Sequence, residues 1–166
     1  GKESLYSIYF AEGVTSSEMF NKIKENKHIK KTLKSYDKEN ILKVISSDKK
    51  YLEGLFFPDS YYFYKNTSDI EILQNSHKVL NRKLQSAWDN RSAELPYKNM
   101  YEALIIASII EKEVGVLEEA SIIAGVFVNR MNVGMPLQSD PTVIYGMGKR
   151  FNGNITRKDL KKDTPY

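Results

Sequence analysis

The chain has 166 residues, with 25 Lys and Arg against 21 Asp and Glu for a net charge of +4, and no cysteine. That length suits one domain with room for a second small lobe. The missing thiols exclude disulfides, thiolate catalysis and cysteine-held zinc, and the two histidines, His28 and His77, stand in no metal-ligand spacing, so neither metal nor cofactor is expected.

Residues 5–10, Leu-Tyr-Ser-Ile-Tyr-Phe, read as a short aromatic strand. Glu12-Gly13 makes a turn. Thr15 or Ser16 then caps a helix to about Asn26, with Glu18 three residues after Thr15 as a capping box requires. Lys22, Lys24, Lys27, Lys30, Lys31 and Lys34 gather the excess positive charge here. No arginine-and-aromatic motif accompanies them, so the cluster reads as a solvated face, and nucleic acid is not an expected partner. A further helix is expected around Lys38–Ser46.

Residues 51–64 change character. Gly54 and Pro58 forbid a long helix, and the density of aromatics suggests strand and loop. Core packing accounts for most of these rings, leaving one or two tyrosines to face a ligand. Asp69 opens a helix through Trp88, with Ile70, Leu73, His77, Leu80 and Leu84 at helical spacing. Residues 89–96 form a polar linker closed by Pro96.

The most apolar stretch is 100–113, which predicts a buried central helix broken by Gly115. A second helix runs from Glu118 to about Asn132, with Ile122, Ile123, Val126, Phe127 and Met131 inward. Gly134 suits its C-terminus and Pro136 prevents continuation. Asp140-Pro141 starts one more helical turn. The expected fold is α+β: a helical core around 69–133 with a small mixed or antiparallel sheet. The expected division is a strand-helix lobe over 1–50 and a catalytic domain over 51–166. No stretch of about 18 apolar residues is present to span a membrane.

Glu113 follows Ile106, Ile109 and Ile110 on one helical row, so its carboxyl is expected to be poorly solvated and its pKa raised, as a proton donor at neutral pH needs. Glu111 has softer surroundings in Leu104, Ala107 and Ser108. Periodicity prefers Glu113 only slightly, and both glutamates also fit plain helix-end charges. Gln138, Asp140, Thr142 and Tyr145 crowd polar groups into a constrained loop that suits sugar hydroxyls, or equally a capped turn. Asn129 either reaches the glutamate helix or faces water.

Four segments, taken in order, resemble one family: Glu53-Gly-Leu-Phe-Phe-Pro-Asp-Ser-Tyr61, Ala107-Ser-Ile-Ile-Glu-Lys-Glu113, Val126-Phe-Val-Asn-Arg-Met131 and Leu137-Gln-Ser-Asp-Pro-Thr-Val-Ile-Tyr-Gly146. The pattern is similar to that of the YceG-like family, the MltG-type endolytic murein transglycosylases. The resemblance implies a bacterial lyase that cuts the MurNAc–GlcNAc β-1,4 bond of nascent glycan strands and leaves a 1,6-anhydroMurNAc end. It implies Glu113 as the catalytic acid and base, and the residues expected to bind substrate beside it are Gln138, Asp140, Thr142, Tyr145, Asn129, Glu53 and Tyr61. Peptidoglycan strands and peptidoglycan synthases are the implied partners. The implied location is the periplasmic face of the inner membrane, through a helix outside this sequence.

Such a lyase needs one carboxyl, whereas a hydrolase wants a second within about 5–10 Å, for which Asp140 and Glu53 are the candidates. Two departures stand out. Relatives often carry Thr or Ser after the glutamate, and here it is Val114. They also continue beyond the Thr-Pro-Tyr ending, so an incomplete cleft is expected. The alternative reading is a fragment of the same family that binds peptidoglycan without cutting it.

Overall fold

A computed structural model describes residues 4–164. The chain divides into two compact units, one ending at Arg91 and the other beginning at Ser92. The boundary expected at 50/51 therefore lies inside the first unit. The helical core expected across 69–133 is likewise shared between the two.

The first unit holds strand β1 (Leu5–Tyr9), helices α1 (Ser16–Glu25) and α2 (Lys38–Val44), strand β2 (Ser60–Tyr64) and helix α3 (Asp69–Asp89). The strands pair antiparallel, with Leu5 opposite Tyr64 and Tyr9 opposite Ser60. Successive side chains point to opposite faces. One face carries Ile8, Tyr61 and Phe63, all buried, while Leu5, Tyr9, Tyr62 and Tyr64 are exposed on the other.

A capping side chain starts each helix of this unit. The Thr15 hydroxyl accepts the Glu18 N–H, and the Glu18 carboxylate accepts the Thr15 N–H at 2.7 Å, closing the expected box. Ser68 and Glu71 repeat the device at α3. Behind these starts, α1 buries Met19, Phe20 and Ile23, and α3 buries Ile72, Leu73, Ser76 and Leu80. The α3 stripe is rotated from the one expected, since Ile70, His77 and Leu84 are only half-buried. The inward side instead starts from Asp69, which is fully buried at the first position of α3.

Asp69 is an anchor for the chain 30–36. Its carboxylate accepts the Thr32 N–H at 2.8 Å, the Thr32 hydroxyl at 2.7 Å, the Tyr36 hydroxyl at 2.9 Å and the Leu33 N–H. Burial pushes its pKa up, but these donors outweigh burial and leave it below the ordinary aspartate value. The same burial, with the Asp69 contact, drives the Tyr36 hydroxyl far above its usual range.

The second unit holds α4 (Met100–Glu113), α5 (Ala120–Asn132), α6 (Asp140–Met147) and α7 (Arg157–Leu160), with single 3-10 turns before α5 and after α6. Asn99 caps α4 by accepting the Tyr101 and Glu102 N–H groups. At the end of α5, Gly134 takes φ +68°. Its N–H reaches Met131 O and the Met135 N–H reaches Arg130 O, the double bond of a Schellman end.

Burial in this unit departs from expectation. Helix α4 fully buries only Ile106, and Ile105 is 44% exposed. On α5, Phe127 is buried but Ile122 and Val126 face outward at 68% and 44% exposure. Three short helices cannot enclose a helix that is apolar on all sides, so part of each apolar surface stays open.

Candidate active site

Glu113 is the last residue of α4 and Ser139 is the N-cap residue of α6. The packing of α4 with α6 brings the two together. The Ser139 hydroxyl donates to Glu113 Oε1 at 2.5 Å. Ser139 is buried, whereas Glu113 is exposed. This corrects the expectation of a greasy pocket around the glutamate. Ile106 is buried and Ile109 and Ile110 are half-buried, but that cover ends short of residue 113. The carboxyl is held from beneath by one hydroxyl and open above.

The loop that delivers Ser139 is fastened at several points. Arg130 donates from α5 to the Leu137 carbonyl. Gln138 adopts a left-handed backbone at φ +54°, unusual for a residue with a side chain. The Ser139 carbonyl accepts the Thr142 N–H at 3.2 Å and the Thr142 hydroxyl at 2.8 Å. A serine at an N-cap normally turns its oxygen toward its own helix. Ser139 makes no such bond, because its hydroxyl is turned to Glu113.

The residues nominated from sequence separate into two groups. Gln138, Asp140, Thr142 and Tyr145 lie on the loop and helix that carry Ser139. Gln138, Asp140 and Tyr145 are exposed, while the Thr142 hydroxyl serves its own turn. Asn129 is exposed on α5 and makes no hydrogen bond to the glutamate helix. Glu53 and Tyr61 belong to the first unit and have structural partners there. Glu53 accepts the Ser16 N–H at 2.8 Å on one oxygen and the Ser16 hydroxyl at 2.9 Å on the other. Tyr61 is buried against Phe10 and donates to Phe57 O at 2.6 Å, so it faces core rather than ligand. Burial, with Asp59 nearby, drives that phenol well above its usual range.

Sequence reasoning missed Ser139 and Arg130. A serine before Asp-Pro reads as an ordinary helix cap, and nothing local shows that it faces a glutamate 26 residues earlier. Arg130 adjoins the nominated Asn129, yet it is the arginine that ties the loop.

Among the described residues, no group of three or more His, Asp or Glu side chains is placed to hold a metal, and no helix is long and apolar enough to cross a membrane. A hollow of about 70 Å³ between α6 and α7 is lined by Val143, Met147, Arg150 and Asp159 among others. It has room for a few waters, not for a sugar ring, and Glu113 is not part of its wall.

The sequence profile of the YceG-like family matches residues 1–166. The chain belongs to the YceG-like family. This YceG-like chain is 30% identical over 157 residues to a protein of Streptococcus pneumoniae named endolytic murein transglycosylase, covering 93% of the chain and 28% of that protein. It is 36% identical over 117 residues to a Bacillus subtilis protein of the same name, covering 69% of the chain and 31% of that protein. The chain thus spans under a third of the length of these curated relatives. A crystal structure of a yceG-like protein from Listeria monocytogenes matches with a TM-score of 0.71 and 26% identity, over 98% of this chain and 58% of that one.

Proposed function

We propose that this chain carries the catalytic glutamate of an endolytic murein transglycosylase. The observation that carries the reading is the Ser139–Glu113 hydrogen bond, which ties one exposed carboxyl at the end of α4 to a fastened loop. The names of the relatives supply the reaction class and the polymer. An enzyme that cuts within a strand must reach a bond with sugar on both sides. A carboxyl open above suits that need better than one at the bottom of a closed pocket. A glycan laid across Glu113 strips its water, and desolvation favours the protonated acid.

The protonated Glu113 gives its proton to the bridging oxygen as the C1–O bond breaks through an oxocarbenium-like state. The carboxylate then takes the proton of the C6 hydroxyl while that oxygen bonds to C1, closing the 1,6-anhydro ring. The acid is restored and no water is consumed. Gln138, Asp140 and Tyr145 are exposed on the same loop and helix, available to sugar hydroxyl and acetamido groups. Asn129, exposed on α5, is a further candidate for this role. The proposed setting is the periplasmic side of the inner membrane beside the peptidoglycan synthases.

Purified sacculi incubated with the protein and read by mass spectrometry test the reading. Anhydromuramic ends are expected. Reducing ends would mean a hydrolase, and unchanged sacculi that retain the protein would mean the alternative, a glycan-binding fragment.

A further inference from the structure

We propose that Ser139 is a positioning residue for Glu113, fixing which carboxylate oxygen faces the scissile bond. This rests on the lyase reading of Glu113. Glu113 is the final residue of its helix and is exposed, so without a partner its carboxyl would sample several rotamers. The residue that follows, Val114, offers only hydrocarbon. The Ser139 hydroxyl is buried, lies 2.5 Å from Oε1 and forgoes the capping bond that its position on α6 would normally make. Its backbone is fixed on both sides, by Arg130 at Leu137 O and by Thr142 at its own carbonyl. A rigid donor thus holds Oε1 and leaves Oε2 as the oxygen that exchanges protons with the sugar. The hydroxyl donates to Oε1 in both states of the cycle, since the proton exchanged with the sugar rides on Oε2.

The test compares Ser139→Ala and Ser139→Thr with the parent in the full chain, using glycan cleavage, binding and the ¹³C resonance of the Glu113 carboxyl. That resonance is assigned by its loss in Glu113→Gln. In Ser139→Ala, kcat should fall about 10- to 100-fold with KM unchanged, because only the aim of the acid is lost. The carboxyl resonance should move. Ser139→Thr, which retains the hydroxyl, should restore both. Ser139→Cys keeps the shape with a weaker donor and takes the place of the alanine variant if that one melts. Unchanged kcat in Ser139→Ala, a loss confined to KM, or an unmoved resonance would overturn the proposal. Failure of the lyase reading looks different: the parent itself then releases no anhydro ends, and an unmoved resonance still decides against the contact.

Discussion

The two units handle carboxylates in opposite ways. In the first, Asp69 is fully buried and accepts hydrogen bonds from Thr32, Leu33 and Tyr36. In the second, Glu113 is exposed and has one hydroxyl, Ser139, at one oxygen. Their surroundings differ in the same sense. Of the buried hydrophobic residues among those described, only Ile106 and Phe127 lie beyond residue 91. An anion whose oxygens are all engaged resists protonation and serves structure, taking a proton only when low pH breaks its network. An anion with an open oxygen can exchange a proton without breaking its contacts. The contrast separates a carboxylate that holds the fold from one that is free to do chemistry.

The largest expected effect comes from removing the free oxygen. Glu113→Gln should lower the rate of anhydro-end formation by about 10³-fold or more while leaving the melting temperature nearly unchanged. Glu111→Gln should be milder. Equal activity in Glu113→Gln and the parent, read by mass spectrometry, would erase the functional side of the contrast. Asp69→Ala should instead destabilise the first unit by about 3 kcal/mol, because buried donors at Thr32, Leu33 and Tyr36 lose their acceptor. Urea unfolding followed by tyrosine fluorescence checks this, and a change below about 1 kcal/mol would show the network to be dispensable.

A titration sharpens the same point. The folded pKa of Asp69 is depressed, so its stabilising contribution is complete above the unfolded value near 4 and is lost as pH falls through the lower, folded value. Melting of the first unit should therefore be flat from about pH 7 to 5 and decline below about 4. In Asp69→Asn that part of the decline should vanish. The smallest effect is expected at Ile122, which is 68% exposed. Ile122→Ser should shift stability by no more than about 0.5 kcal/mol. A loss above 2 kcal/mol would mean that the open face of α5 is covered in solution.

What could be read from sequence follows the reach of the interaction. Thr15 with Glu18, and Gly134 before Pro136, announce helix ends because every group involved lies within a few residues. Two short aromatic runs announce a small sheet, mixed or antiparallel, and the structure pairs them antiparallel. The partners of Asp69 lie 33 to 37 residues away, and Ser139 lies 26 from Glu113, so no local pattern reports either contact. The burial of α4 was overestimated because hydrophobicity states what a surface prefers, not whether neighbours exist to cover it. Tyr61 was nominated for substrate by the company of other tyrosines. Strand alternation put it inward, while Tyr62 and Tyr64 took the opposite face.

That alternation restricts how the gene can change length. With Ile8 opposite Tyr61 and Tyr6 opposite Phe63, adding or deleting one codon within either strand exchanges the wet and dry sides of everything beyond it. Between the strands, insertions are tolerable away from the chain that Asp69 anchors, as in the largely exposed stretch 46–50, but not within the strands. Descendants of this chain should therefore vary in the distance between their two strands while keeping each strand free of single-residue gaps.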